Sequence, residues 1–267
     1  MGNFLVIGGS GVMGTAAIQA VRKHFGPDSK IIANWFGKED PDFRIEGADH
    51  TVYGDITDPK CISELKSLGD NSFEYLFYAT ALGDVGFAIH ESTPEQIKRS
   101  NQLSFDPILT LEKELNVKTI VGYSTFYLTR HQLASYGAMG FSKEAIEKWT
   151  VEKGKSRHTC IRAGLFESSS SRGIKLLLRK SAKNLENLSD PLVRGYFEGV
   201  STKEGVEKYL EGIMDEEREL FGDSPTKPDN LLQAHLDLFK AENPVIVNVC
   251  GSKIWMTEEP QLLEEYI

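Results

Sequence analysis

Short apolar runs alternate with amphipathic segments along most of the chain. Runs rich in branched and aromatic residues predict strands at 3–7, 30–35, 50–54, 74–79, 117–123, 157–162 and 244–249. Apolar residues at helical spacing predict helices at 12–25, 59–68, 94–115, 136–153, 172–187, 204–220 and 229–241. Because strands and helices alternate, the pattern indicates βαβ units and predicts an α/β fold with a doubly wound parallel sheet of about seven strands.

The helices between 165 and 243 follow one another without intervening strands. The chain has 267 residues, enough for one large α/β domain, so we expect residues 1–267 to form a single domain. Ligands of open α/β sheets bind at the carboxyl ends of the strands. We therefore expect the helical insertion 165–243, which precedes the last strand, to cover the substrate site.

Composition narrows the class of protein. The formal net charge of −9 argues against a general nucleic-acid binder, because such proteins neutralise phosphates with excess cations. No apolar run is long enough to span a bilayer and no secretory signal is recognised, so we expect a cytoplasmic protein. Cys61, Cys160 and Cys250 lie far apart without metal-ligand spacing, which predicts buried thiols and no metal site.

A glycine-rich segment joins the first predicted strand to the first predicted helix. Glycines there allow a tight turn and a close approach of the backbone to a pyrophosphate, whose charge the helix N-terminus favours. A tight strand-to-helix connection without a ligand is the alternative interpretation. In this position the segment predicts a Rossmann-type, NAD(P)-binding domain. The expected cofactor contacts here are Gly8, Ser10, Gly11, Val12, Met13 and Gly14.

The end of the second strand bears on the choice of cofactor. An enzyme specific for NAD often has an acidic residue there, and this chain has Asn34 followed by Lys38. Asn34 can hydrogen-bond the ribose, and Lys38 can meet a 2′-phosphate, so the segment favours NADPH, with NADH as the alternative. A solvated loop charge explains Lys38 equally well.

Two further strand ends are expected to contact the cofactor. Asp55, with Ile56 beside it, closes the third strand and is positioned to accept from the adenine amino group; a helix cap is the alternative role for Asp55. The fourth strand ends in Ala79, Thr80 and Ala81, whose small side chains let the backbone approach the cofactor. Tight packing would also explain small residues there.

Tyr136 and Lys143 are the strongest candidates for chemistry. They are seven residues apart in a predicted helix, so both side chains would lie on one face, two turns and about 10 Å apart. One substrate site would then receive both the phenol and the ammonium group. Met139 lies four residues before Lys143, and its thioether has no proton to donate.

These motifs together resemble the short-chain dehydrogenase/reductase superfamily. Within it, the Tyr-x6-Lys spacing is similar to that of the enoyl-acyl-carrier-protein reductases. The resemblance covers residues 3–164 and 244–251. It implies that Ser124 assists the tyrosine, that Asn101 supports a water and lysine relay, and that Gly164 and Phe166 contact the nicotinamide.

The chain also departs from the pattern of that family. Phe126 replaces a tyrosine common in enoyl reductases, and Ala163 replaces the usual proline after the sixth strand. The Gly-x-x-Gly-x-x-Gly spacing of the first loop is closer to that of extended or atypical reductases. A homodimer or homotetramer is implied by the resemblance.

The long tyrosine-to-lysine interval has a chemical reason of its own. Reducing a ketone adds hydride to the carbon that carries the oxygen, so the acid lies one bond from the hydride acceptor. Reducing an enoyl thioester adds hydride to C3, while charge develops on an oxygen three bonds away. Tyr136 is one turn, about 5 Å, from position 139 and would stabilise that distant oxygen. Lys143 would bind the nicotinamide ribose and lower the phenol pKa.

We therefore expect an NAD(P)H-dependent reductase of an enoyl thioester or conjugated carbonyl. A carbonyl reductase or dehydrogenase and a nucleotide-sensing protein without turnover are the alternatives. The segment 172–183 carries five cations and no acidic residue, interleaved with apolar positions. It suits docking of acyl carrier protein or coenzyme A with its apolar face along an acyl channel, although a solvated basic helix face explains it equally well.

Overall fold

The computed structural model describes residues 2–38, 40, 42–241 and 245–266, without the side chains of residues 169 and 170. Its strands are β1 (Asn3–Ile7), β2 (Lys30–Trp35), β3 (His50–Tyr53), β4 (Ser72–Tyr78), β5 (Asn116–Thr125), β6 (Arg157–Ala163), β7 (Ile246–Cys250) and β8 (Lys253–Thr257). Its helices are α1 (Val12–Phe25), α2 (Pro59–Leu68), α3 (Pro94–Ser104), α4 (Asp106–Glu114), α5 (Arg130–Ser135), α6 (Met139–Val151), α7 (Ser169–Ser181), α8 (Pro191–Gly195), α9 (Thr202–Phe221) and α10 (Pro228–Lys240).

The strands form one sheet in the order β3-β2-β1-β4-β5-β6-β7-β8. All neighbouring pairs are parallel except β7 and β8, which are antiparallel. The predicted α/β, doubly wound sheet is therefore confirmed. The eighth strand was not predicted, although the Gly251-Ser252 pair between two apolar runs is typical of a tight hairpin turn. Pro244, where the seventh strand was predicted to begin, lies outside the described residues.

The central strands bury both of their faces. Along β1, Phe4 and Val6 pack into a core with α1 and α10, whereas Leu5 and Ile7 pack into a second core with α2, α4 and α6. Residues of a strand point alternately to opposite faces, so a continuous apolar run is what a sheet covered on both sides requires. The carboxyl ends of the strands are left free at one edge of the sheet.

The helix predicted over 94–115 is wrong as a single element. The chain leaves helical geometry at Phe105, with φ −134° and ψ −50°, and α4 starts at Asp106. Pro107 explains the break, because proline lacks the N–H for a continuing helix and its ring obstructs the preceding turn. Proline in the first turn of a new helix is favourable, so α4 begins where α3 cannot continue.

The helices after β6 contact different parts of the molecule. Helices α7, α8 and α9 share a small apolar core with α5, built around Leu178, Val193, Tyr209 and Ile213. By contrast, α10 packs on α1 and the sheet. The helix predicted over 172–187 ends at Ser181, followed by a separate 3-10 turn at Leu185–Asn187.

The cysteines and the lengths of the helices can be compared with what composition predicted. The three cysteines are buried and unbonded, as predicted. Among the described residues, no helix combines the length and apolarity needed to cross a membrane.

Candidate active site

A cavity of about 200 Å³ opens at the carboxyl ends of the central strands. The first turn of α1, the ends of β4, β5 and β6, the α5–α6 turn and α7 all contribute to its walls. Its lining includes Gly11, Val12, Met13, Ala79, Thr80, Ala81, Ser124, Tyr136, Met139, Lys143, Gly164 and Phe166. Apart from Met139, these are eleven residues that the sequence indicated as catalytic or cofactor-binding, and the structure brings them together.

The glycine loop leaves the N-terminus of α1 open to this cavity. Gly11 is the N-cap and offers no side chain, and the first turn of α1 has no acidic residue. Its backbone N–H groups are therefore available to an anion. Gly14 allows the loop to close, because a Cβ there would lie 2.4 Å from the Gly8 carbonyl oxygen. This arrangement fits the pyrophosphate of a dinucleotide, with Ser10 exposed on the loop.

The predicted cofactor residues at the ends of the second and third strands are absent from the lining of this cavity. Asn34 is buried, and its amide donates to the Gly54 carbonyl at 3.0 Å, so this donor is already used. Asp55 accepts from the backbone and hydroxyl of Thr57. Ile56 packs into the apolar core, and Lys38 is exposed in the loop after β2.

Asp55 does not cap α2. Asp58 performs that task, accepting from the backbone N–H of Lys60 at 2.9 Å. The Asp55 carboxylate therefore closes a local turn at the end of β3 instead. Its contact with adenine stays a prediction.

Tyr136 and Lys143 do not share a continuous helix, so the prediction of a single helix over 136–153 is wrong at its start. Tyr136 ends α5, and α6 begins three residues later at Met139. Gly137 between them has φ +49°, a left-handed conformation that interrupts helical geometry. The two side chains reach one cavity because the turn directs Tyr136 there.

Backbone contacts with the segment after β4 hold this turn. The N–H of Gly137 donates to the Phe87 carbonyl at 3.0 Å, and the N–H of Ala138 donates to the Asp84 carbonyl at 3.0 Å. Gly86 in turn donates to the Ser135 carbonyl at 2.7 Å. The position of Tyr136 therefore depends on a segment about fifty residues earlier in the chain.

Lys143 is buried at the base of the cavity. Its Nζ donates to the Tyr123 carbonyl at 2.9 Å, which leaves two donors for a ligand. Burial lowers the pKa of Lys143 to about 8, with Cys160 and Glu147 acting in the opposite direction. The side chain therefore carries its charge at neutral pH.

The Tyr136 phenol keeps its proton more firmly than a free tyrosine does. Burial raises its pKa well above the ordinary value, and burial is the cause of the shift. The expectation that Lys143 lowers this pKa is therefore not met. A phenol that stays protonated near neutral pH is suited to donate a hydrogen bond to a developing oxyanion.

Ser124 lines the cavity, but its proton is directed elsewhere. The hydroxyl donates to Glu147 Oε1 at 2.6 Å, and Glu147 is fully buried in an ion pair with Arg162. Gln261 also donates to this carboxylate, which ties the C-terminal segment to α6. A charge-assisted bond of this kind is strong, so Ser124 is a poor donor toward a substrate.

Asn101 and Ser142 extend the polar contacts behind α6. The Ser142 hydroxyl donates to Asn101 Oδ1 at 2.7 Å, one residue before Lys143 in the chain. Ser142 also hydrogen-bonds Ser100. Asn101 thus contacts α6 beside the lysine, and its part in a water relay stays a prediction.

A second cavity of about 340 Å³ adjoins the first. The two share Ala81, Tyr136, Met139 and Ile174. Tyr136 provides the O–H of the second cavity, whose other lining residues are Ala81, Leu82, Gly83, Val85, Met139, Gly173, Ile174 and Leu177. Tyr136 therefore lies at the junction of a polar space beside the glycine loop and an apolar space beneath α7.

Several lining residues were not predicted as site residues. Gln132 on α5, Thr125 at the end of β5, and Leu165, Ser171 and Ile174 after β6 all reach the first cavity. Gln132 had a usable signal, since it lies one helical turn before Tyr136. Thr125 and Leu165 directly follow the predicted residues Ser124 and Gly164, whereas Ser171 and Ile174 belong to α7, whose packing over the site no local pattern encodes.

A buried carboxylate holds the segment after β6. Glu217 accepts from the backbone N–H of Leu165 at 2.7 Å and from the Ser224 hydroxyl at 2.5 Å. Burial raises its pKa above the usual value. Through Leu165, Glu217 fixes one wall of the cavity from α9, which lies about fifty residues further along the chain.

The fold is similar to that of solved short-chain dehydrogenases. A short-chain dehydrogenase family protein from Francisella tularensis subsp. tularensis SCHU S4 matches with a TM-score of 0.63 and 20% identity, over 94% of this chain and 98% of that one. An NAD+-bound xylitol dehydrogenase matches with a TM-score of 0.64 and 13% identity, over 93% and 96%. The aldohexose dehydrogenase of Thermoplasma acidophilum matches with a TM-score of 0.58 and 17% identity, over 94% and 93%.

At these identities the likeness shows the fold. The chain has the fold of the short-chain dehydrogenase/reductase structures, as the resemblance of its motifs predicted. No protein-family model matches the sequence, and no curated protein matches it.

Proposed function

We propose that this protein is an NAD(P)H-dependent reductase of the short-chain dehydrogenase/reductase superfamily that acts on an apolar enoyl thioester or conjugated carbonyl. The observation that carries the proposal is the position of Tyr136 between the two cavities. One cavity is bounded by the open end of α1 and by Lys143, and the other is almost wholly apolar. A dinucleotide suits the first and an acyl chain suits the second.

A nicotinamide dinucleotide fits the residues present. The open first turn of α1 would hold its pyrophosphate, and Lys143 has two free donors for the ribose beside the nicotinamide. Bound there, the reduced nicotinamide supplies a hydride. Exposed Lys38 is the available cation for a 2′-phosphate, and this supports NADPH over NADH.

Tyr136 would act on the substrate oxygen. When C3 of an enoyl thioester accepts hydride, the electron pair of the C2–C3 π bond moves toward the thioester oxygen. The phenol, which burial keeps protonated, donates a hydrogen bond to that oxygen as its charge develops. Transfer of a proton to C2 completes the reduction and leaves the saturated thioester.

Met139 supports the enoyl substrate over a ketone. It lies at the start of α6, three residues after Tyr136 and four before Lys143, and is 93% buried, yet its thioether has no proton to give. Its sulfur is instead surrounded by the Ser100 and Ser104 hydroxyls. An acid at 136 rather than at 139 suits an oxygen that lies three bonds from the hydride acceptor.

The cations of α7 indicate the kind of carrier that would deliver the substrate. Arg172 and Lys180 are exposed on this helix, and Leu176 is 64% exposed beside them. Ile174 and Leu177 on the same helix line the second cavity. A carrier with phosphates or acidic side chains, coenzyme A or acyl carrier protein, would meet the cations while the acyl chain enters beneath the helix.

The alternative is a carbonyl reductase or dehydrogenase of the same superfamily. Two of the similar structures are dehydrogenases of sugars or polyols by their descriptions, and they support this second candidate. The decisive assay mixes the purified protein with NADPH or NADH and with crotonyl, longer enoyl and 3-ketoacyl thioesters. Loss of reduced cofactor with enoyl substrates is the expected result, and loss only with ketoacyl substrates would overturn the enoyl assignment.

Adjacent leucines on α7 offer a test of the acyl cavity. Leu177 is 42% exposed and lines the cavity, whereas Leu176 is 64% exposed and is absent from the cavity lining. We expect Leu177→Trp to fill the cavity and to lower turnover of long enoyl chains more than that of crotonyl thioester. Leu176→Trp is the matched control, with wild-type chain-length preference. Equal effects of both substitutions would contradict the proposed acyl site.

A further inference from the structure

Four polar side chains in the lining of the first cavity are more than nine-tenths buried, namely Tyr123, Ser124, Gln132 and Lys143. Three of them already have partners. The Tyr123 hydroxyl bonds His235 Nε2 at 2.8 Å, the Ser124 hydroxyl donates to Glu147, and Lys143 Nζ donates to the Tyr123 carbonyl. Each of these bonds fixes a side chain in the wall of the cavity.

Gln132 is different. It is 8% exposed, and its amide has no hydrogen-bond partner among the parts of the chain that the structure describes. A primary amide carries two N–H donors and one acceptor, and those of Gln132 are open to the cavity. Because Gln132 lines the cavity, a ligand there can supply the missing partner.

The position of Gln132 relative to Tyr136 shows which part of a ligand it would meet. The Tyr136 backbone N–H donates to the Gln132 carbonyl at 2.8 Å, as in one helical turn. Residues four apart in a helix lie on one side of it. The amide and the phenol therefore come from the same side of α5 and line the same cavity.

We propose that Gln132 is a catalytic residue that donates a second hydrogen bond, beside that of Tyr136, to the substrate oxygen. The inference rests on the proposed function and extends it. Ser124 does not serve as this donor, since its single proton is held by Glu147 at 2.6 Å. Two donors on one developing oxyanion stabilise it more than one does.

The test compares Gln132→Met with Gln132→Glu in the NAD(P)H assay. Methionine keeps the length of the side chain and removes the donors, so kcat should fall about 100-fold with the affinity for NADPH unchanged. Ionised glutamate repels the oxyanion, so its kcat should be lower still and should recover as the pH falls and the carboxyl gains a proton. Gln19→Met, at an exposed position of α1, is the control for replacing a glutamine by methionine.

Each outcome separates this inference from the proposed function. Wild-type protein without turnover on any enoyl or carbonyl substrate overturns the proposed function and the role of Gln132 with it. An active wild type with Gln132→Met within twofold of its kcat overturns the role of Gln132 alone. Loss of NADPH affinity in Gln132→Met would also overturn it, by making Gln132 a cofactor contact. The melting temperature of each variant confirms that it folds, and the pH response of Gln132→Glu gives a second readout that a packing role would not produce.

Discussion

The glycine loop, residues 8–14, and the α5–α6 turn that carries Tyr136, residues 136–138, are both closed around a glycine. The contacts that hold them differ. A Cβ at Gly14 would meet the Gly8 carbonyl, six residues away in the chain. A Cβ at Gly137 would meet the Asp84 carbonyl, more than fifty residues away. The first feature is therefore a matter of local backbone sterics, and the second exists only when two distant segments have packed together.

The α5 helix, which leads into the Tyr136 turn, is also fixed from a distance. Glu216 on α9 accepts from the backbone N–H groups of Arg130 and His131, in place of a side-chain cap on α5 itself. Burial acts to raise the pKa of Glu216, but hydrogen bonds from the His131 side chain and from these two N–H groups lower it to about 2. The Tyr209 hydroxyl donates to the His131 carbonyl at 2.6 Å. The helix that leads into the turn is thus bound to α9, which the glycine loop does not need.

The largest effect is expected at the Tyr136 turn itself. Tyr136→Phe removes the phenolic proton and should lower kcat by about 10²- to 10⁴-fold, the range of a lost acid. Binding of NADPH, which we propose for the glycine loop, should stay unchanged in a fluorescence titration. Exposed Tyr266→Phe is the control. Wild-type turnover in Tyr136→Phe would remove Tyr136 from the acid role.

His235 should lower the stability of the fold at acidic pH. Its Nδ1 donates to the Leu231 carbonyl and its Nε2 accepts from Tyr123, so the folded protein holds the neutral ring. Burial lowers the pKa of His235 from 6.5 to about 4. The unfolded chain binds the extra proton between these values, so stability is present above 6.5 and is lost as the pH falls toward 4.

This loss should amount to about 3 kcal/mol in the free energy of unfolding between neutral pH and the folded-state pKa. Urea denaturation of the wild type and of His235→Gln across that range measures it. Glutamine can accept from Tyr123 without titrating, so the variant should show the smaller pH dependence. Equal slopes for the two proteins would contradict the assignment.

Gly14→Ala tests the glycine loop. The new Cβ would lie 2.4 Å from the Gly8 carbonyl oxygen and 2.7 Å from the Gly9 Cα, so the loop must shift. We expect a cost of about 1–3 kcal/mol, seen as weaker NADPH binding and a lower melting temperature. Gly195→Ala, where nothing lies within 4 Å of the Cβ, is the control. Undiminished NADPH affinity in Gly14→Ala would show that the loop is not the pyrophosphate site.

Gly137→Ala tests the turn in the same way. The residue has φ +49° and its Cβ would lie 2.5 Å from the Asp84 carbonyl oxygen. We expect about 1–2 kcal/mol of destabilisation and a lower kcat at unchanged NADPH affinity. Gly199→Ala separates the strain of a positive φ from the clash with a carbonyl. Gly199 has φ +71°, but nothing lies within 4 Å of its Cβ. If both substitutions leave kcat unchanged, the turn does not position Tyr136.

The smallest effect concerns the charge on Lys143. Its ammonium group loses a proton as the pH rises through about 8, so kcat/KM should fall about tenfold for each further pH unit. Binding of ADP, which reaches only the adenine and pyrophosphate positions, should stay flat over the same range. A profile of kcat/KM without a decline above this pH would exclude Lys143 from binding the nicotinamide ribose.

The sequence was most informative where structure is local. The bounds of β1, α1, β2 and α2 agree with the predicted ones, because apolar runs, a proline in a first turn and a glycine-rich connection each act within a few residues. It failed inside 94–115 and at 136–138, where Pro107 and Gly137 interrupt helical patterns. Proline at 107 was a readable signal, whereas the contact between Gly137 and Phe87 was not.

By itself, the sequence determined the doubly wound sheet and the open N-terminus of α1, and it made Tyr136 and Lys143 the candidates for the reactive side chains. Only the tertiary structure decided how those two reach one cavity, through a turn closed by Asp84 and Phe87 instead of along one helical face. It also directed the Ser124 proton to Glu147 and left the Gln132 amide free. Hydrogen bonds between distant segments depend on packing and not on spacing along the chain, which is why residue periodicity suggested candidate reactive groups without their arrangement.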